Sequence, residues 1–179
     1  MPALQGLDAA GRTIYLGTFS KVLFPALRLG YVVAPPDLVD AFVAARALAD
    51  RHPPGLEQAV LADFLAEGHF GRHLRRMRAL YAARQAALIE AARQRLAGAL
   101  EVHPHEAGLH LVGRLPHGVD DRAAAARAAA RGVEAPPVAA YAVGEPRQAG
   151  LLLGYAAVDE AAIRAGVDRL AAALHGGAA

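Results

Sequence analysis

The stretch that decides the reading of this chain is Thr13-Ile14-Tyr15-Leu16-Gly17-Thr18-Phe19-Ser20-Lys21, continued after a short connection by Arg28-Leu29-Gly30-Tyr31-Val32-Val33-Ala34. Thr13 to Thr18 is β-branched and aromatic, is bounded upstream by Asp8 and Gly11, and reads as a strand. Leu29 to Ala34 reads as a second strand. Its apolarity is continuous rather than alternating, which predicts a strand covered on both faces, as in an α/β sheet. One strand-to-loop junction thus gathers two hydroxyls, an amine and a guanidinium.

Working outward, Pro35-Pro36-Asp37 opens a predicted helix running to about Asp50. His52-Pro53-Pro54-Gly55 punctuates the chain before another helix from Leu56 to Glu67. From Arg72 to Ala97 there is neither Gly nor Pro, and Leu74, Met77, Tyr81 and Leu88 recur at helical spacing. This predicts a helix of about 26 residues, near 39 Å at about 1.5 Å per residue, long enough to link two layers or domains. Beyond Gly98 come short strands at Leu100 to His103 and Leu109 to Val112, and a helix from Asp120 to Arg131. A strand at Leu151 to Ala156 and a closing helix from Asp159 to Leu174 complete a small α+β tail. The alanine run from Ala123 to Ala130 fits a helix, because alanine has the best helix propensity.

With 179 residues and 55% hydrophobic residues against 20% charged, the chain can bury a core and is expected to be folded throughout most of its length. No run approaches the roughly 18 consecutive apolar residues of a membrane span, and Met1 is not followed by an export signal, so a cytoplasmic location is expected. The absence of cysteine excludes disulfides and thiolate chemistry. A net charge of +2 is far from the dense basic footprint of a nucleic-acid-binding domain. Among the 19 Lys and Arg residues, Lys21 is the single lysine, and asparagine is absent altogether. Such a background replaces lysine by arginine wherever charge alone suffices. A retained lysine can lose its proton and form an imine, as arginine cannot, although chance retention accounts equally well for a lone residue.

The hydroxyls of Thr18 and Ser20 together with Arg28 suit a phosphate, which accepts several hydrogen bonds and pairs bidentately with a guanidinium. A lysine beside such a site, outside any glycine-rich nucleotide loop, suits an aldehyde cofactor anchored by its phosphate and captured as an imine. The block resembles the lysine segment of fold-type-I pyridoxal-phosphate enzymes. The longer string from Tyr15 to Tyr31 resembles above all the aminotransferase-like domain of MocR-type regulators of the GntR superfamily, with the kynurenine/aminoadipate aminotransferases as the related standalone group. His73-Leu74-Arg75-Arg76-Met77-Arg78, Ala107-Gly108-Leu109-His110-Leu111 and Leu151-Leu152-Leu153-Gly154-Tyr155-Ala156 resemble the same family in the same order.

The resemblance implies an α/β chain that is the C-terminal part of a fold-type-I transferase. Residues 1–66 would end the cofactor domain, and residues 67–179 would form a linking helix and a small α+β domain. It implies pyridoxal 5'-phosphate as cofactor, held as an aldimine on Lys21 with Thr18, Ser20 and Arg28 on its phosphate. Without the neighbouring Ser20-Lys21, Arg28 would read as a surface arginine. His110 would line the cofactor pocket or be a half-buried strand histidine, and Tyr15, Phe24 and Tyr31 read as packing or interface aromatics. The implied partners are a small amine or amino acid and a second copy of the full-length protein; DNA would be reached only through a winged-helix domain outside this chain. A standalone aminotransferase, or an inactive scaffold, is the alternative.

Two departures qualify that picture. The family usually carries a carboxylate-binding arginine in a strand of the form Leu-Arg-Leu-Gly-Phe-Ala, and here the slot holds Leu152, leaving Arg147 upstream as the substitute. Lys21 also lies close to Met1, whereas the family places most of its cofactor domain before the lysine. The ring-stacking aromatic and the pyridine-nitrogen aspartate are therefore expected to be missing, with Asp8, the one acid before Lys21, reading as a turn residue. His103-Pro104-His105 and His110 lack a completing ligand, so no metal site is expected. Arg72, Arg75, Arg76 and Arg78 form a basic helix face, expected to be solvated or paired with Glu67 and other acids.

Overall fold

The computed structural model describes residues 2–144 and 148–176. Arg147 lies outside the described residues. The chain forms two compact units, Met1–Arg75 and Arg76–Ala179. This division follows compactness and falls inside the long helix, whereas the expected 66/67 boundary follows the family's cofactor and small domains.

In the first unit, β1 (Tyr15–Thr18) pairs antiparallel with β2 (Gly30–Val33), Thr18 opposite Gly30 and Gly17 opposite Tyr31. The pairing positions Tyr31 over Gly17 so closely that a Cβ there would lie 2.2 Å from the ring, which is why this strand carries a glycine. Helices α1 (Val39–Ala49) and α2 (Gly55–Ala66) follow. The expectation that the second strand is covered on both faces is corrected here: every residue of β2 is exposed. Among the described residues the strand has one neighbour, and open grooves separate its faces from the helices. Val32 and Ala34 line one groove with Phe42 and Val43 of α1; Leu29 and Tyr31 line the other with Leu61 and Leu65 of α2. Phe24 and Tyr31, read as packing or interface aromatics, are both exposed.

Helix α3 (His69–Arg95) realises the uninterrupted span expected from its sequence. In the second unit β3 (Glu101–Val102), β4 (His110–Arg114) and β5 (Gly150–Gly154) form an antiparallel sheet in the order β3-β4-β5, with Leu111 opposite Leu153 and Val112 opposite Leu152. Helix α4 (Asp121–Ala129) starts where Asp120 accepts the Arg122 and Ala123 N–H groups, and α5 (Glu160–His175) where Asp159 accepts that of Ala162. The core cluster lies wholly in this unit: Leu88, Ala91 and Ala92 of α3, Ala124 and Ala128 of α4, and Ile163, Val167 and Leu170 of α5 pack with Leu111, Leu151 and Leu153. β4 alternates accordingly, Leu111 inward and His110, Val112 and Arg114 outward.

Two polar networks tie this core to its loops. Tyr155, 1% exposed, donates its hydroxyl to the Gly108 carbonyl at 2.7 Å and accepts from Gln85 at 3.1 Å, while Arg84 reaches the Ala156 carbonyl at 2.5 Å. These bonds connect the Ala107-Gly108 and Tyr155-Ala156 segments through α3. The buried carboxylate of Asp121 accepts the Ala139 N–H of the 3-10 turn Val138–Ala140 at 3.0 Å and the Gly150 N–H at the start of β5 at 3.3 Å, the latter a buried donor that would otherwise be stranded away from water.

Candidate functional site

Thr18 ends β1, and Gly30 opposite it begins β2, so the whole connection from Phe19 to Leu29 lies at one end of the strand pair. Phe19 N–H bonds to the Leu29 carbonyl at 3.1 Å and closes the base of that connection. Leu23 N–H bonds to the Phe19 carbonyl at 2.8 Å, closing a single helical turn around Lys21, and Ser20 N–H donates to Thr18 Oγ1 at 3.2 Å. Phe24, the residue before Pro25, is extended at φ -150° and ψ 149°, so the turn stops there. Instead a 3-10 turn, Pro25–Leu27, follows and leads to Arg28.

Arg28 has φ 51° and ψ 29°, a left-handed conformation that a residue with a Cβ adopts only at a cost. The cost arises where the chain must reverse into β2 directly before buried Leu29. Lys21 and Arg28 are both exposed, and among the described residues neither side chain forms a salt bridge or hydrogen bond. The junction therefore presents an uncommitted amine, an uncommitted guanidinium, and the hydroxyls of Thr18 and Ser20, the former accepting an N–H and keeping its own proton to donate. That donor set matches a phosphate monoester joined to an electrophilic carbon. It contains no group that would stack on or pair with a heteroaromatic ring.

On the neighbouring face Tyr31 packs between Tyr15 and Phe19, with ring centroids 5.9 and 5.7 Å apart. The hydrogen bond with Tyr15, aided by repulsion between the two phenolates, holds the Tyr31 proton above the ordinary tyrosine range. Phe19 also meets Phe70 of α3 edge-on at 6.0 Å, and His73, one turn further along α3, bonds through Nε2 to the Val22 carbonyl at 2.9 Å. In the sequence His73 belongs to the family-like string from His73 to Arg78, which assigns it no role. Its bond joins residues far apart in sequence, and no local spacing reveals it.

The other sequence candidates fall elsewhere. His110 is exposed at the start of β4, against Gly154, where the missing side chain leaves its ring room. Leu152 is half-buried on β5, and its N–H is taken by the Pro136 carbonyl at 2.8 Å. Asp8 accepts the Ala10 and Arg12 N–H groups at 2.9 and 2.6 Å, and bonding to Thr13 is the main cause holding its carboxyl below the usual range, so it is a turn residue. Glu67 pairs with His69 at 2.9 Å rather than with an arginine of the basic face, and Arg72 meets the other nitrogen of that imidazole at 2.6 Å. His103 pairs with Glu101, and among the described residues no three His, Cys, Asp or Glu side chains gather as metal ligands. No described helix is long and apolar enough to cross a membrane.

The described chain thus comprises a strand pair bearing Lys21 at one end, a long helix and a small α+β unit. It belongs to the family of class I and II aminotransferases, whose model matches residues 2–170. It is 43% identical over 174 residues to the probable rhizopine catabolism regulatory protein MocR of Rhizobium meliloti, covering 97% of this chain and 35% of that protein. The Pyrococcus horikoshii kynurenine aminotransferase, solved in complex with PMP, superposes with a TM-score of 0.89 at 29% identity, covering 98% of this chain and 43% of that one. The α-aminoadipate aminotransferase LysN of Thermus thermophilus, complexed with N-(5'-phosphopyridoxyl)-L-leucine, superposes with a TM-score of 0.86 at 32% identity, covering 97% and 44%. The α/β architecture is thus that of a fold-type-I transferase, of which the chain spans less than half.

Proposed function

We propose that this chain is the lysine-bearing portion of the aminotransferase-like domain of a MocR-type, GntR-family regulator, and that it holds pyridoxal 5'-phosphate through Lys21. The observation that carries this reading is the junction itself: the one lysine of the chain stands uncommitted on a turn whose flanks bring Thr18, Ser20 and Arg28 to the same end of the strand pair. When bound, the cofactor supplies an aldehyde that an amine can capture and a ring that withdraws electrons from the captured group. Lys21 would offer the amine, and Arg28, Thr18 and Ser20 would hold the phosphate, the guanidinium by charge and its planar fork and the hydroxyls as further donors. Residues 1–66 complete the cofactor domain, and residues 67–179 form the linking helix and small domain. His110 lines the ligand pocket, and Arg147 is a candidate for a ligand carboxylate.

Identity of 43% with MocR, against 29% and 32% with the two transaminases, supports the regulatory context. In that context the full-length protein is a cytoplasmic homodimer that reaches DNA through a winged helix outside this chain and senses a small amine or amino acid. The TM-score of 0.89 favours a second reading, a standalone aminotransferase passing an amino group to a 2-oxo acid.

Leu152 separates the two. An aliphatic side chain in the strand slot leaves a buried substrate carboxylate unpaired, at a cost of about several kcal/mol. In the protein carrying this chain, single-turnover formation of the amine form of the cofactor from common α-amino acids is expected to be slow and to accelerate in Leu152→Arg. Rapid reaction of the parent with several amino acids would favour the enzyme.

A further inference from the structure

We infer that His73 is a positioning residue for Lys21: by donating from Nε2 to the Val22 carbonyl, it fixes the turn that presents the Lys21 amine. The inference rests on the reading of Lys21 as the cofactor-bearing lysine.

The turn from Phe19 to Leu23 is held internally by one backbone hydrogen bond, Leu23 N–H to Phe19 C=O. A lone helical turn orders several dihedral angles for a single bond and is unfavourable by itself. It does not grow, because Phe24, which precedes Pro25, is extended (φ -150°, ψ 149°), and among the described residues the Val22 carbonyl receives no bond from the backbone. The support comes from α3. Phe70 packs edge-on against Phe19 at one end of the turn, and one turn along the helix His73 takes the Val22 carbonyl at 2.9 Å at the other. A carbonyl can only accept, so Nε2 carries the proton, in either the neutral Nε2–H tautomer or the imidazolium.

Lysine carries its amine on a flexible four-carbon stem, so the placement of that amine depends on how firmly the backbone beneath it is held. Val22 directly follows Lys21, and its carbonyl lies in the peptide plane that joins it to Leu23; releasing that plane frees the Val22 dihedrals and with them the backbone from which the Lys21 stem departs. Both anchors come from one long helix, a stiffer support than the loop can make for itself.

Because Lys21 is the only lysine, the whole chain labelled with 15N-lysine gives one backbone amide signal, and borohydride trapping of pyridoxal 5'-phosphate gives one side-chain product. His73→Leu is expected to broaden or shift that signal, to speed exchange of the Leu23 amide, and to slow trapping at Lys21, each rate changing by roughly two- to tenfold. The β1–β2 amides should remain as in the parent. His73→Gln, whose side-chain N–H can occupy the place of Nε2, is expected to restore all three readouts.

An unchanged Lys21 signal and trapping rate in His73→Leu would overturn the inference. So would a failure of His73→Gln to restore them, or an equal loosening of the β1–β2 amides, which would make His73 a packing residue of the unit as a whole. If the parent chain traps no cofactor at Lys21, the proposed cofactor role fails, and the two amide readouts still decide whether His73 holds the turn.

Discussion

Amide hydrogen exchange of the chain is expected to separate into two classes, with Leu111, Leu153 and the buried residues of α5 exchanging at least about a thousandfold more slowly than the amides of β1 and β2. The difference follows from where apolar surface is buried. The second unit encloses a contiguous cluster in which Leu96 and Leu151 are at 0% exposure and Leu170 is at 2%. In the first unit few large apolar side chains are buried, Leu29 and Leu61 among them, while Leu16 and Leu48 stand at 73% and 90% exposure. Burying an aliphatic side chain contributes roughly 1.5–3 kcal/mol, so the ten buried Leu, Ile and Val residues of the cluster can sustain cooperative protection and two cannot. Equal protection in both units, measured by mass spectrometry or NMR, would contradict this distribution of stability. The exposed surface of β2 and α1 is also of the kind that favours association, as the proposed homodimer requires.

Replacing Arg28 by lysine is expected to weaken pyridoxal 5'-phosphate binding by about 10- to 150-fold in the protein carrying this chain. The substitution keeps the charge but discards the planar fork, and losing one charge-assisted hydrogen bond is worth about 1.5–3 kcal/mol. The left-handed backbone of Arg28 supplies a control. Glycine accepts φ 51° without penalty, so Arg28→Gly should relieve local strain while removing the guanidinium altogether. Affinity should therefore fall in both variants, although the glycine variant folds at least as well. An unaltered cofactor titration for Arg28→Lys would place the guanidinium outside the phosphate site, leaving Arg28 as a turn residue with a strained backbone.

The parts of the fold that were legible in the sequence are those governed by neighbours along the chain. Asp120 and Asp159 announce their helices because a carboxylate that caps N–H groups acts within a single turn. Helix α3 is legible because nothing between Arg72 and Arg95 breaks it. The second strand misled for the opposite reason: continuous apolarity from Leu29 to Ala34 reports an expectation of cover, and whether cover exists depends on elements that its own residues do not specify. The same holds at the junction. Thr18, Ser20, Lys21 and Arg28 stand out because their chemistry is concentrated in one short stretch. His73 and Phe70 do not, since their contacts with Val22 and Phe19 are made only when α3 folds back onto the turn. Tyr155 is similar: its sequence context suggests a strand aromatic, and only the fold reveals the Gly108 carbonyl that takes its hydroxyl proton.

Site-resolved trapping tests the central claim most directly. Incubation of the 179-residue chain with pyridoxal 5'-phosphate, reduction with borohydride and peptide mapping can report just two primary amines, those of Lys21 and Met1. The phosphopyridoxyl group is expected on Lys21, with little on Met1, and competition by inorganic phosphate is expected to slow its attachment. Label confined to Met1, or attachment to Lys21 that phosphate leaves untouched, would contradict a cofactor site built from Lys21, Thr18, Ser20 and Arg28.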